Sequence, residues 1–271
     1  MNHPVPGSET TFSVTIDALA FGGAGVARHD GKVMFVPGAL PGETATVRIE
    51  SDRASYAQAR LLQVTTAAPE RIEPACPLAL RPEADEETGT ERCPGCAYQH
   101  LRHDAELHWK SVQLKELFAR MAGTTVTDEI WRPPVGSPSP LGYRNKLVLH
   151  TARTEDGLPV FGYFGTDNQT VMDIPACPLV HPQIDVRLRE LRKDPGFRRR
   201  LQPGKSWTFR HTERDGVVCW PGRSLRNDSW LREATPFGEM AVPRGSFFQI
   251  NPAVGAELAR AVEAASLPRP G

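Results

Sequence analysis

The chain has 271 residues, room for one large or two modest domains. Its 32 basic and 32 acidic side chains cancel, which excludes a bulk polycation and confines any nucleic-acid surface to a local patch. No run of about 18 apolar residues marks a membrane span, and Met1-Asn2-His3-Pro4-Val5-Pro6-Gly7-Ser8 lacks a signal-peptide core. A reducing cytoplasmic location is therefore expected, where the five cysteines read as metal ligands rather than disulfides.

Residues 9–66 read as short strands with turns between them. Thr11 to Ile16 alternates and runs on to Gly22-Gly23-Ala24-Gly25. Lys32 to Val36 follows, then a turn at Pro37 to Gly42, then strands at Glu43 to Ile49 and about Tyr56 to Val64. Four or five short strands with glycine-rich corners predict a small closed barrel. Such barrels bind single-stranded nucleic acid or serve as plain structural modules. Gly22-Gly23-Ala24-Gly25-Val26-Ala27-Arg28, followed by Val36-Pro37-Gly38-Ala39-Leu40-Pro41-Gly42-Glu43, resembles a TRAM domain, the RNA-binding barrel found at the N-terminus of many RNA-modifying enzymes.

A Pro-bearing linker, 67–75, leads to Cys76. Glu83, Asp85, Glu86, Glu87 and Glu91 then make an acidic surface loop, unsuited to RNA. Asp104 to Met121 predicts a helix, with Asp104 as N-cap and Gly123 as C-terminal stop. Its stripe of Leu107, Leu114, Leu117, Phe118 and Met121 is core or interface.

Tyr143-Arg144-Asn145-Lys146-Leu147-Val148-Leu149-His150 predicts a strand, with Arg144, Lys146, Val148 and His150 on one face. Arg144 and Lys146 are candidate phosphate contacts. Turns at Asp156-Gly157 and Asp215-Gly216 predict two hairpins. Between them, residues 187–205 carry eight basic side chains against Glu190 and Asp194, either a phosphate-binding face or a solvated helix and loop. After Ser246-Phe247-Phe248-Gln249-Ile250-Asn251-Pro252 a helix is expected over about 253–265, with Asn251 as N-cap.

Cys76, Cys93, Cys96 and Cys177 form a candidate four-thiolate site, since thiolates are soft ligands for zinc or an iron–sulfur cluster. Cys93-Pro94-Gly95-Cys96 turns two thiolates toward one centre. Zinc sites favour two close pairs, but His100, His103 and His181 are near enough in sequence to substitute, so spacing leaves both metals open. Cys219 reads as a small buried hydrophobe.

Cys93 to His100, Tyr143 to Lys146, Cys177-Pro178-Leu179 and Ser246 to Asn251 occur in the order found in RNA uracil-5-methyltransferases. More narrowly, the chain resembles the 23S rRNA branch that carries a TRAM domain and a 4Fe–4S cluster. The resemblance implies that Cys76, Cys93, Cys96 and Cys177 ligate the cluster, Gln249 helps hold S-adenosylmethionine, and Phe247 stacks near the RNA. One departure stands out: 16 residues separate Cys76 from Cys93, where the family has only a few. A loop grows at small entropic cost, so ligation stays geometrically open.

Family members add a cysteine thiolate to uracil C6, methylate C5, and then remove the C5 proton with a base. The resemblance therefore implies an enzyme acting on ribosomal RNA, with a β-rich α+β fold. The expected parts are an OB-like TRAM barrel over 9–66, an iron–sulfur segment over 67–102 joined by Cys177, and a mixed α/β central domain over 103–271. The C-terminal Rossmann-like methyltransferase domain and its catalytic residues are expected to be missing, because nothing after Gln249 resembles them. The helix stripe and the segment 246–265 would then face the missing domain and expose apolar surface. The competing expectations are a non-catalytic RNA-binding iron–sulfur module and a zinc-stabilised structural protein.

Overall fold

The computed structural model describes residues 11–82, 92–222 and 229–266. The expected acidic loop at 83–91 lies outside them. The chain divides into two units, residues 1–134 and 135–271.

The first unit begins with six strands: β1 (Thr11–Thr15), β2 (Ala18–Leu19), β3 (Ala24–His29), β4 (Lys32–Pro37), β5 (Thr44–Asp52) and β6 (Tyr56–Thr66). They form one sheet in the order β1-β5-β6-β4-β3-β2. Its edge strands, β1 and β2, are joined by only Ile16 and Asp17, so the sheet must close on itself. Register shifts between β5 and β6 at Thr44/Ala45, Thr46/Val47 and Ile49/Ser51 supply the curvature. Alternation along the strands sends Val14, Ala27, Met34, Val36, Ala45, Val47, Ala59 and Leu61 inward as the core.

Strand β3 was not foreseen, because its glycines read as a turn. Gly22 and Gly23 do turn, with φ of 96° and 90°. Gly25, however, is a strand residue, placed where a Cβ would lie 2.8 Å from the Ala39 carbonyl.

Helix α1 (His103–Ala122) follows, and Gly123 ends it with φ 61°. Arg102 rather than Asp104 occupies the N-cap; Asp104 sits in the first turn, accepting from Arg102 Nε at 2.6 Å. The buried face of α1 is set by Ala105 and Gln113, with Trp109 between them. Ala105 and Trp109 pack with Leu19, Leu40, Ala68, Leu101 and Tyr98. Gln113 donates to the Ala20 carbonyl at 2.9 Å and accepts from the Tyr98 hydroxyl at 3.2 Å. The apolar stripe is therefore not the packing face: Leu114, Phe118 and Met121 are exposed.

The second unit holds a five-stranded sheet in the order β11-β10-β7-β8-β9, with every pair antiparallel. The strands are β7 (Lys146–Arg153), β8 (Pro159–Phe164), β9 (Val171–Asp173), β10 (Ser206–Thr212) and β11 (Gly216–Pro221). Gly157 and Gly216 take positive φ in the two expected hairpin turns. Helices α2 (Pro182–Lys193) and α3 (Pro195–Arg200) cover one face through Ile184, Leu188, Leu191 and Phe197. The Phe197 ring stands edge-on to Trp207 at 4.7 Å.

Gly162 of β8 is fixed by this sheet, since a Cβ there would lie 1.7 Å from the Met172 carbonyl oxygen. Gly162→Ala is expected to part β8 from β9 and cost about 1–3 kcal/mol. Urea unfolding measures it; an unchanged midpoint would refute the close approach.

A separate hairpin, β12 (Trp230–Thr235) with β13 (Gly238–Pro243), turns at Gly238 with φ 112°. Helix α4 (Pro252–Ser266) closes the described chain. Asn251 caps it, its Oδ1 accepting from Val254 N at 3.2 Å. No helix among the described residues is long and apolar enough to cross a membrane.

Candidate functional site

In the second unit the candidate residues gather around residues 246–251. A single asparagine organises them. Asn145 accepts from His211 N at 2.8 Å through its carbonyl, and its own N–H donates to the Ile250 carbonyl at 2.8 Å. Its side-chain amide donates to the Gln249 carbonyl at 3.3 Å. Arg144 and Lys146 flank it, with Lys146 opposite Arg210 across β7 and β10. Lys146 has its pKa held below the usual lysine range, by burial first and then by the Arg210 charge. Arg144 donates through its backbone to the Leu179 carbonyl at 2.9 Å, beside Cys177-Pro178.

Arg210, only 1% exposed, props this segment from below. Its Nε donates to Glu233 Oε1 at 2.8 Å, and its guanidinium lies 5.5 Å from the Phe248 ring centre. Burial pushes the Glu233 carboxyl up, against the pull of Arg210. Asn145, Arg210 and Glu233 drew no functional expectation. Asn145 stood within the recognised Tyr143–Lys146 motif, but its role depends on a partner about a hundred residues away in the chain.

With that backbone held, Phe247 projects outward, 80% exposed, and Gln249 is exposed beside it. Both line a cleft of about 640 Å³ between the β12–β13 hairpin and α4. Phe237 and Met240 form one wall; Gly255, Ala256 and Ala259 form the other. Gly255 is needed there, because a Cβ would come within 3.0 Å of Gln249 Cβ. The lining is mostly apolar with one amide, which suits a flat ring held by stacking and oriented by a hydrogen bond.

Basic residues 187–205 divide between two roles. Arg187 pairs with Glu190, Arg189 with Asp185, and Arg192 braces Asp173 and the Ile174 carbonyl. Arg198, Arg199 and Arg200 are exposed at the end of α3.

In the first unit, the 16-residue interval between Cys76 and Cys93 is pinched shut. Cys93 N donates to the Leu78 carbonyl at 2.8 Å, and Ala79 N to the Cys76 carbonyl at 3.1 Å. Leu78 and Cys93 are therefore direct neighbours, and Cys76 and Cys93 stay close in backbone terms. Cys76 N donates to Gln99 Oε1 at 3.0 Å, which ties Cys76 to the turn bearing Cys96. The barrel presses on that turn: a Cβ on Gly23 would come within 3.0 Å of Ala97 Cβ.

All five cysteines are outside disulfides. Among the described residues no three His, Cys, Asp or Glu side chains converge as a metal site. The fit to a thiolate-bound group lies in the soft donor set, the pinched backbone and a buried Gln99 Nε2 that lacks a hydrogen-bond partner. The three histidines kept as zinc candidates have other neighbours. His100 is buried near the charges of Arg71 and Glu43, His103 Nδ1 lies 3.5 Å from Glu106, and His181 caps α2 and stacks on His211 at 3.7 Å.

The TRAM domain family matches residues 9–62. An uncharacterized RNA methyltransferase of Gloeobacter violaceus is 35% identical over 69% of this chain and 39% of its own length. The 23S rRNA (uracil(1939)-C(5))-methyltransferase RlmD of Pectobacterium carotovorum is 33% identical over 66% of this chain and 37% of its own. In sequence the chain is similar to these RNA methyltransferases. It spans about two fifths of the length of these curated relatives.

The solved structure of Pyrococcus abyssi tRNA (uracil-54, C5)-methyltransferase, in complex with S-adenosyl-L-homocysteine, matches with a TM-score of 0.60 at 18% identity. That match covers 94% of this chain and 65% of the other, so the likeness to the methyltransferase is one of fold, along nearly the whole chain. This corrects the expected architecture of a barrel, cysteine segment and central domain with its C-terminal Rossmann-like domain missing. A Gly-rich signature is a few residues, whereas a superposition weighs the whole backbone; failing to find the former after Gln249 was no measure of a missing domain.

Proposed function

We propose that the protein is an S-adenosylmethionine-dependent RNA methyltransferase acting on C5 of a uridine, with ribosomal RNA as substrate. The observation that carries this reading is the cleft that brings Phe247 and Gln249 together on a backbone fixed by Asn145. In this reading Gln249 holds S-adenosylmethionine and Phe247 stacks against an unpaired base of the RNA. Arg144 and Lys146 meet phosphates on the approach. The TRAM barrel supplies further RNA contact, and an RNA-modifying role puts the protein in the cytoplasm.

Cys76, Cys93 and Cys96 hold a 4Fe–4S cluster, with Cys177 as the fourth thiolate that the family resemblance implies. When bound, the cluster would tie the Cys76 loop to the Cys93–Cys96 turn through metal–sulfur bonds. Zinc is the competing occupant of the same thiolates.

The test combines anaerobic iron, sulfide and zinc analysis with binding of a 23S rRNA fragment and of S-adenosylmethionine. Phe247→Ala is expected to weaken RNA binding by about 1–3 kcal/mol, the worth of one stacked base. Lys146→Ala is expected to lower the salt dependence of log K by about one unit of slope. Gln249→Ala is expected to weaken S-adenosylmethionine and leave RNA affinity alone. Failure of the chain to bind either ligand would sink the proposal; RNA binding without any affinity for S-adenosylmethionine would favour the non-catalytic module.

A further inference from the structure

We infer that Gln99 is a positioning residue of the thiolate centre: one end of its amide anchors Cys76, and the other end donates a hydrogen bond to a sulfur of the bound cluster. This rests on the cluster reading of the cysteines.

The orientation of the amide is fixed by chemistry. Cys76 N–H is a donor, so the atom facing it at 3.0 Å must be the oxygen, Oε1. The NH2 group therefore occupies the other end of the same planar amide. That Nε2 is buried and has no hydrogen-bond partner. A buried donor left unmade is costly, and native proteins rarely tolerate one without a reason.

The surroundings supply the reason. Gln99 lies three residues after Cys96 and reaches back to Cys76. Arg81 donates to the Pro74 carbonyl at 3.2 Å and to the Cys76 carbonyl at 3.4 Å, so the Cys76 loop is held from both sides. Cys93 is locked to the same loop through Leu78. Gln99 thus links the Cys76 loop to the turn that carries Cys93 and Cys96, and a cluster held by these thiolates would offer its amide N–H a sulfur acceptor. Thiolate and sulfide carry negative charge, and that charge grows by one when the cluster is reduced. A hydrogen bond to sulfur thus favours the reduced state and raises the potential. Gln99 acts on the cluster in two separable ways, by holding a ligand loop and by tuning electron affinity.

Two variants separate these roles. Gln99→Glu keeps an oxygen for Cys76 N–H and loses the donor. Gln99→Met fills the space, carries no charge and loses both polar ends. The anaerobically purified 271-residue chain and both variants are analysed for iron and sulfide and titrated by electron paramagnetic resonance. At the wild-type midpoint, both variants should show a reduced-to-oxidised ratio at least tenfold lower, about 59 mV for a one-electron couple. Gln99→Met should also lose iron to a chelator faster than Gln99→Glu.

A wild-type midpoint in iron-replete Gln99→Met would overturn the inference. So would a shift in Gln99→Glu alone, which would report added charge rather than a lost donor. A wild-type chain without iron and sulfide would sink the cluster reading itself, a result read before any variant is made.

Discussion

Glu43→Ala is expected to destabilise the first unit by about 3–5 kcal/mol, the scale of a buried charge stripped of its partner. Glu43 is fully buried, and Arg71 is 17% exposed. The carboxylate accepts four hydrogen bonds: from Arg71 Nε at 2.5 Å and Nη2 at 2.7 Å, from Leu40 N at 2.8 Å, and from Ala68 N at 3.2 Å. Alanine leaves Arg71 Nε and two backbone N–H groups without their acceptor, while Arg71 Nη2 keeps only the Gly38 carbonyl at 2.7 Å. Glu43→Gln keeps one oxygen and should cost less, about 1–3 kcal/mol.

Burial alone would raise the carboxyl pKa, but the Arg71 hydrogen bond and charge and the Leu40 and Ala68 N–H groups outweigh it and hold it below 4.5. Glu43 therefore stabilises the fold above about pH 4.5, and that contribution is lost as pH falls through the lowered value. Urea unfolding followed by circular dichroism reads both variants. A Glu43→Ala loss under 1 kcal/mol would remove this site from the list of structural supports.

Mild acid is expected to weaken the same unit through His100, by about 3 kcal/mol between pH 6.5 and 4. The ring is 3% exposed and its pKa is lowered from 6.5 to about 4, first by burial and then by the Arg71 charge, with Glu43 pulling the other way. The unfolded chain takes up this proton near 6.5 and the folded chain only near 4. Stability is thus complete above 6.5 and declines as pH falls toward 4. Unfolding midpoints at pH 7.5, 6 and 5 should fall in the wild type and stay flatter in His100→Gln. An equal fall in both would mean that another group takes up the proton. Glu43, Arg71 and His100 form one cluster, so the Glu43 and His100 effects should not add.

Local chemistry was well legible in the sequence. Asn251-Pro252 announced α4, Gly123 the end of α1, and Asp156-Gly157 and Asp215-Gly216 their hairpins. These signals act within a few residues. What stayed hidden depends on distant partners or on conflicting cues. Gly25 read as a turn because its reason for being small, the Ala39 carbonyl, lies on another strand. The α1 stripe read as core or interface, because periodicity counts apolar side chains without saying what covers them; Leu114, Phe118 and Met121 are exposed, and the helix packs through Ala105, Trp109 and Gln113, whose amide meets a carbonyl of the barrel. At the site, Phe247, Gln249, Arg144 and Lys146 were legible as motif positions, while Asn145, which holds the segment, showed nothing of its partners in its own neighbourhood. Trp230 to Pro243 alternates too weakly to signal the β12–β13 hairpin, whose turn Gly238 makes with positive φ.

The barrel also has a birth order. Strand β4 pairs in parallel with β6, which begins 19 residues after β4 ends, and Glu43 must wait for Arg71, 28 residues on. A chain emerging from the ribosome has the apolar strands before the last strand and the counter-charge that complete them. Until residue 71 is free of the exit tunnel, Glu43 has no guanidinium to bury against, and until β6 emerges the sheet stays open between β5 and β4, where β6 inserts. The ion pair then acts as a latch set at the end of synthesis of this segment, and a nascent chain held with β1 to β5 outside the tunnel and β6 still inside it would be in its most aggregation-prone form.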